Sequence, residues 1–412
     1  MLHADLPIPA PPDVTAGGPT RLATLLREVE QTVTRSFPEM LPWLKATLAV
    51  SAIRCLKDNT QPVALIAIGS PSSGKSTPLG FLAPESDADE LARFFHHTDH
   101  FTAASFVSHQ ASKTADRLAE VDLLPRIRNK TLLTPELGPL FRSRGNDLSK
   151  SMATLAAVLD GRGYVSHSGA HGERGHRGQH NFGWLGASTP LSSTAFRELA
   201  LIGPKIFMFD VTRRRVNALE LACAAAARDD SAALEECRAA VRRLVIELYW
   251  SFPPGSVPIA SVSIDRARLH LIALWTELMT VLRAAKDHEP EYPERPLKVL
   301  RLIAAGSALA HGRLAVDDFD LALVGHVAMS SAGNNLPRIL RGVLLRGGAV
   351  STPELAADSG LTDPTVRHYM RLLGERGVAL HRKASPETVE LTGQYEALCR
   401  APLLGNPPAS AG

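Results

Sequence analysis

Residues 69–76 read Gly69-Ser70-Pro71-Ser72-Ser73-Gly74-Lys75-Ser76 and fit the spacing GxxxxGK[ST]. Each fixed position has a chemical reason. The glycines let consecutive backbone amides converge on phosphate oxygens, and the N-terminus of the helix that follows adds a favourable dipole. Lys75 has the length and charge to reach the outer phosphates, and the Ser76 hydroxyl is the kind of oxygen that ligates Mg²⁺. The pattern therefore places ATP and Mg²⁺ on residues 69–77. Pro78 is tolerable in a first helical turn, but Gly80 and Pro84 follow, so that helix should be short.

Phosphoryl chemistry also needs an acid at the end of a neighbouring strand, for the metal or for the attacking water. Lys130-Thr131-Leu132-Leu133-Thr134-Pro135-Glu136 is an apolar run ending in a carboxylate, with Pro135 where an Asp is usual. Two readings stay open. Either Glu136 polarises water while Ser76 alone contacts the metal, or Glu136 serves the metal and hydrolysis is slow. A second run, Phe182 to Leu185, leads into Gly186-Ala187-Ser188-Thr189-Pro190. A polar side chain there should lie between the two outer phosphate-site strands, near the terminal phosphate.

Two further segments carry charge suited to nucleic acid. Asp160 to His180 is a glycine-rich insertion holding Arg174, His176 and Arg177, with β-compatible arms at Tyr164-Val165 and Asn181-Phe182. On its residues alone it reads as a mobile solvated loop. A zinc site from His167, His171, His176 and His180 is another reading, weakened by glycines that leave nothing rigid to hold the ligands. His96, His97 and His100, in a Phe-rich segment, read as structural. Near the end, Ser351 and Thr362 cap two short helices separated by Gly360, and residues 377–383 and 388–392 read as a hairpin. This is the pattern of a winged helix-turn-helix, with Arg367 and Arg371 on the recognition helix and Arg382 and Lys383 on the wing. Residues 338–383 hold eight Lys/Arg against four acids, which favours DNA, although protein-binding winged helices share the pattern.

The elements that must position these residues follow from hydrophobic period. Val63 to Ile68 is a short apolar run bounded by Pro62 and Gly69, as in a strand buried on both faces, and Thr131–Leu133 and Ile206–Phe209 are similar. Helical stretches between such runs imply a mostly parallel sheet with crossover helices. Residues 21–57 read as two helices broken near Pro38, and the pattern beyond Arg215 is helical to about Met329. The expected organisation is a tail over 1–20, N-terminal helices over 21–60, an α/β P-loop core over 61–215, a helical lid over 216–335, a winged helix over 336–395 and a tail over 396–412.

Composition sets outer limits. The 412 residues are 45% hydrophobic, with 45 Lys+Arg against 42 Asp+Glu, which excludes a largely disordered or collagen-like chain. No apolar run approaches a membrane span, and Met1-Leu2-His3-Ala4-Asp5 lacks a basic or apolar leader pattern, so a cytoplasmic protein without membrane partners is expected. The four cysteines are scattered and form no CxxC pair.

Taken in order, the loop, the acid-ended strand, the hydroxyl-ended strand and the helical region resemble the AAA+ ATPases over roughly residues 60 to 330. The segment Glu294-Arg295-Pro296-Leu297-Lys298-Val299-Leu300-Arg301-Leu302, followed by Ala308, His311-Gly312-Arg313 and Val316-Asp317-Asp318, is similar to the lids of minichromosome-maintenance helicases and their bacterial or phage relatives. The resemblance implies that Ser188 or Thr189 senses the terminal phosphate and that Arg295 reaches it from the lid. It implies an arginine finger from a neighbouring subunit, among Arg197, Lys205 and Arg213-Arg214-Arg215, hence a homo-oligomer. Lys205 stands where a related pattern carries arginine and lacks the bidentate fork. The insertion would point its hairpin at DNA. The expected function is ATP hydrolysis coupled to DNA remodelling or translocation; the alternative is an ATP-switched DNA-binding regulator with little hydrolysis. A small-molecule kinase fits poorly with the long helical region and the C-terminal module.

Overall fold

The structure is a computed structural model, and it describes residues 18–107, 120–142, 146–168, 172–203, 205–211, 229–284, 289–333 and 335–404. Its strands are β1 Val63–Ile68, β2 Phe95–His97, β3 Thr131–Thr134, β4 Gly163–Ser168, β5 Gly172–Arg177, β6 Gly183–Ser188, β7 Ile206–Asp210, β8 Val350–Ser351, β9 Ala379–Arg382 and β10 Thr388–Leu391. Five of them form a parallel sheet in the order β2-β3-β6-β1-β7.

Alternation along β1 explains why the sheet is covered on both faces. Val63, Leu65 and Ala67 join one hydrophobic cluster, while Ala64, Ile66 and Ile68 join the other. On the second face lie the helices Asn146–Val158 and Ser193–Leu201, through Leu155, Val158, Ala195 and Leu199. The first face is more heavily covered. There Leu41–Ala52 packs against Glu294–Ala310, and Gly18–Ser36 against Asp230–Ser251. One continuous cluster runs from Leu22 through Leu65 and Trp275 to Leu398, so the N-terminal helices, the sheet and the region 230–332 share a core.

Edge strand β7 is closed by side chains. The helix Asp318–Ala332 lies along it, and the amides of Met208 and Asp210 donate to the hydroxyls of Ser331 (2.9 Å) and Ser330 (3.0 Å). The free ladder edge is thereby satisfied without another strand. At the N-terminus the expected break appears as a single turn, Pro38–Met40, between the two helices. The 18–36 helix begins before the expected boundary at 21. The expected C-terminal tail starts later than 396, because Leu398 and Leu403 are buried in the core.

The C-terminal segment consists of the helices Leu336–Arg346, Thr352–Ser359 and Asp363–Glu375 and a three-stranded antiparallel sheet, β8-β10-β9. Ser351 and Glu354 form a capping box, and Gly360 ends the short helix in the left-handed region at φ 65°. No helix among the described residues is long and apolar enough to cross a membrane.

Candidate functional site

Everything singled out around the glycine loop sits at the carboxyl ends of the parallel strands. β1 runs into the loop 69–76, β3 into Pro135-Glu136, β6 into Thr189, and β7 into Val211. β6 lies between β1 and β3, so its polar end is flanked by the loop strand and the acid-ended strand, as the sequence leads one to expect. Backbone bonds stitch these ends together. The Gly69 amide donates to Ser188 O (3.2 Å), Leu137 N to Ala187 O (2.9 Å) and Val211 N to Ile68 O (2.8 Å).

The loop has the conformation that its residues permit. Gly74 at φ 75° and Ser72 at φ 61° both lie in the left-handed region, which glycine adopts freely and serine seldom does. Gly69 has no room for a side chain: a Cβ there would stand 2.7 Å from Ser73 Oγ and 3.1 Å from Val211 O. Ser73 is buried, and its Oγ has no hydrogen-bond partner among the described residues. The amides of Gly74, Lys75 and Ser76 likewise have no acceptor among the described residues. The following helix, Thr77–Leu82, is short as expected.

Lys75 is 7% exposed, and its ammonium donates to Ser70 O at 3.0 Å. Burial lowers its pKa from the ordinary lysine value, and the negative charge of Glu136 opposes that shift. Glu136 is exposed and accepts from the Gly138 amide at 2.7 Å. Thr189 accepts from Arg142 Nη2 at 2.9 Å. Arg142 ends the helix Gly138–Arg142 and also flanks Gly138, whose Cβ position is 2.4 Å from Glu136 Oε1 and 3.3 Å from Arg142 Nη2. Glu136, Arg142 and Thr189 therefore occupy one corner.

Two of these participants are invisible in the motif pattern. Arg142 follows no known spacing from Glu136 and is found only through the fold. Trp43, in the 41–52 helix, is 1% exposed and donates from Nε1 to Lys75 O at 2.8 Å, fixing the end of the loop from a helix far upstream.

Arg295 is placed elsewhere. Its guanidinium donates to Asp160 Oδ1 (2.8 Å) and Leu159 O (2.6 Å), and Lys205 Nζ also bonds Asp160 Oδ1 at 2.7 Å. Lys205 directly precedes β7, and the neighbouring Gly161 packs on Thr60 and Pro62, just before β1. This cluster lies at the amino ends of the strands. β1 is six residues long, about 20 Å at ~3.3 Å per residue. The expectation that Arg295 reaches the terminal phosphate from the lid is thus corrected: a charge cluster with Asp160 and Lys205 holds it at the other end of the sheet. Burial pushes the Asp160 carboxyl up, but hydrogen bonds from Lys205 and Arg295 outweigh it and leave the pKa low. Arg197 lies on the 193–201 helix, and residues 213–215 lie outside the described residues.

The insertion forms the antiparallel hairpin β4–β5, with residues 169–171 outside the described residues. Its second arm is 172–177 rather than 181–182, so Arg174 and Arg177 sit on a strand. Strand alternation then divides them. Arg174 and His176 share the half-buried face, where His176 Nε2 meets the buried Asp122 at 2.8 Å, while Arg177 is on the exposed face, paired with Glu173 at 2.8 Å. The three side chains do not present one basic surface. His171 is outside the described residues, and no group of metal-ligating side chains occurs among those described.

In the C-terminal segment, Val366, Met370 and Leu373 are buried and leave Arg367 and Arg371 on the exposed side of the 363–375 helix. Arg367 approaches Glu387 of the β9–β10 connection (3.8 Å), which puts helix and hairpin on one face. Arg371 pairs with Glu375 (3.7 Å) and Arg382 with Glu390 (3.3 Å), all exposed pairs of the kind worth ~0–1 kcal/mol. Lys383 follows β9 and is also exposed.

Compared with known proteins, the sequence matches no family model and no curated protein.

Proposed function

We propose that this chain is an AAA+-type ATPase that binds ATP and Mg²⁺ on residues 69–77 and acts on DNA as a homo-oligomer. One observation carries the reading: a glycine loop with unpaired amides and a buried lysine follows the strand next to β6, within reach of the Glu136 charge. The residues present suit a triphosphate. Gly69, Ser70, Pro71, Ser72, Ser73 and Gly74 form the cradle, the orphaned Ser73 Oγ and the free amides can donate to phosphate oxygens, and Lys75 neutralises the outer phosphates. The exposed Ser76 hydroxyl would hold Mg²⁺, which supplies charge neutralisation when bound. Glu136 is the base that orients water, and Thr189 with Arg142 lines the adjacent corner.

Arg295 is held by Asp160 at the far end of the sheet and is left out of this site, while Lys205 and Arg197 stay candidates for the finger that a neighbouring copy of a homo-oligomer would supply. The order of helices and strands over 336–391 supports a winged helix, and Arg367, Arg371, Arg382 and Lys383 supply its phosphate contacts. Arg177, on the exposed face of the hairpin, adds one more, with Arg174 half-buried behind it.

Pro135 favours a second reading. The chain has no acid at that strand position, and the Gly138 amide restrains Glu136, as suits an ATP-controlled DNA-binding switch that turns over slowly. ATPase rate with and without single- and double-stranded DNA, measured with the oligomeric mass, separates the two. DNA-stimulated turnover supports the motor, and tight DNA binding with negligible turnover supports the switch. Glu136→Gln should retain ATP binding and stop hydrolysis; continued turnover would remove Glu136 from its role.

A further inference from the structure

A cavity of about 580 Å³ opens at the amino ends of the central strands, the end of the sheet opposite the glycine loop. It is bounded by the segments leading into β1, β2, β3 and β6 and by the end of the 230–251 helix. A pocket of that volume accommodates a ligand far larger than a single inorganic ion.

Its charge is one-sided. Arg54, Lys57, Arg93 and Arg128 line it against a single acid, Glu90, and none of the four cations forms an ion pair among the described residues. Arg54 is 8% exposed, bonds Asn129 Oδ1 at 3.2 Å and keeps its Nε without a partner. A buried guanidinium held by a neutral amide is costly unless an anion completes its shell. Burial correspondingly lowers the Arg54 pKa from the ordinary arginine value.

The rest of the lining is aromatic and amide. The Trp250 ring is 44% exposed at the wall, and Phe94 stacks on Tyr249 with ring centroids 4.1 Å apart. Asn181 is 7% exposed, its Nδ2 committed to Asn59 O, which leaves Oδ1 as a buried acceptor with no donor among the described residues. Cations beside one accessible flat ring suit a planar, phosphorylated molecule. An acidic peptide would use the cations but not the ring.

We propose that this cavity binds a nucleoside phosphate unit, its base against Trp250 and its phosphate on the arginines. The unit is either a free mononucleotide or part of a single strand, since both present the same chemistry. The site is independent of the glycine loop and stands whether or not ATP binds there.

The test uses the full chain carrying Lys75→Met, so that the loop does not contribute, and follows binding by isothermal titration calorimetry with AMP, GMP, CMP, UMP, a short oligothymidylate and inorganic phosphate. Saturable binding of a mononucleotide or the oligothymidylate is expected, weakened about tenfold or more by Trp250→Ala and by Arg128→Glu, each equivalent to ~1.4 kcal/mol or more. Both substitutions are at exposed positions, so the fold should persist, which circular dichroism checks. Binding confined to mononucleotides identifies a free ligand, and competition by the oligothymidylate identifies a strand. Inorganic phosphate binding as tightly as the nucleotides, no binding at millimolar concentration, or affinity unchanged in both variants overturns the proposal.

Discussion

Lys75→Met separates a lysine kept for a ligand from one kept for the fold. Wild-type Lys75 is 7% exposed, and among the described residues its ammonium has one hydrogen bond, to Ser70 O. A charged hydrogen bond contributes about 1.5–3 kcal/mol, whereas partial desolvation of an ammonium costs several kcal/mol, and the Glu136 charge returns only part of it. Methionine fills nearly the same space without the charge. In the absence of nucleotide the variant should therefore match the wild type or exceed it by ~1 kcal/mol. With MgATP at about one hundred times its Kd, the wild type should gain ~2.7 kcal/mol. At about 2.1 cal/mol/K per residue, unfolding 412 residues carries roughly 0.9 kcal/mol/K, so the gain corresponds to a Tm rise of about 3 °C. Differential scanning fluorimetry with and without MgATP reads both quantities. Lys75→Met should lose most of the rise, and Trp250→Ala, at the other end of the sheet, should keep it. A variant less stable by more than ~2 kcal/mol without nucleotide, or one with the full MgATP shift, refutes the reasoning.

Two further outcomes follow from packing and titration. Gly306 faces the 41–52 helix so closely that a Cβ would stand 2.2 Å from Ala49 O and 2.8 Å from Ile53 Cγ1, so Gly306→Ala should destabilise by ~1–3 kcal/mol in urea unfolding, and a neutral result would show that the two helices separate freely. The His96 pKa is lowered to about 4 by burial and then by the positive charges of Arg126, Lys130 and His97. The folded chain therefore favours the neutral ring, and stability present above the ordinary histidine pKa of about 6.5 should be lost as pH falls from there toward 4. His96→Gln should flatten the dependence over that window, and an NMR midpoint for His96 near its ordinary value would contradict it.

Much of the fold was legible because the signals were local. The run Val63–Ile68 has no polar position at all, which only a strand covered on both faces tolerates, and both faces of β1 are indeed packed. Gly360 and the Ser351 hydroxyl marked helix boundaries through backbone chemistry alone. The edge strand β2 was missed because Phe95–His97 is three residues long, too short for a period to show. The site was half legible. Gly74 is required by the loop's own backbone at φ 75°, so the sequence records it. Trp43 acts on Lys75 across 32 residues and Arg142 on Thr189 across 47, and nothing local encodes either contact. Arg295 was misjudged for the related reason that a helix's sequence shows which residues it exposes but not which end of a sheet it meets.

The 41–52 helix joins the two ends of the sheet. Near its start Trp43 holds the Lys75 carbonyl beside the loop, and two residues beyond its end Arg54 lines the opposite cavity. Twelve residues at ~1.5 Å each span about 18 Å, close to the length of β1, so one rigid rod contacts both sites. Gly306 pins that rod by admitting the Ala49 carbonyl where any side chain would exclude it. The positions of Trp43 and Arg54 are therefore not independent: a displacement of the helix along its axis that loosens the Trp43–Lys75 bond must also move Arg54 against Asn129. A rigid connection of this kind requires that the contact at Gly306 stay closed, which makes a glycine far from either site part of the geometry of both.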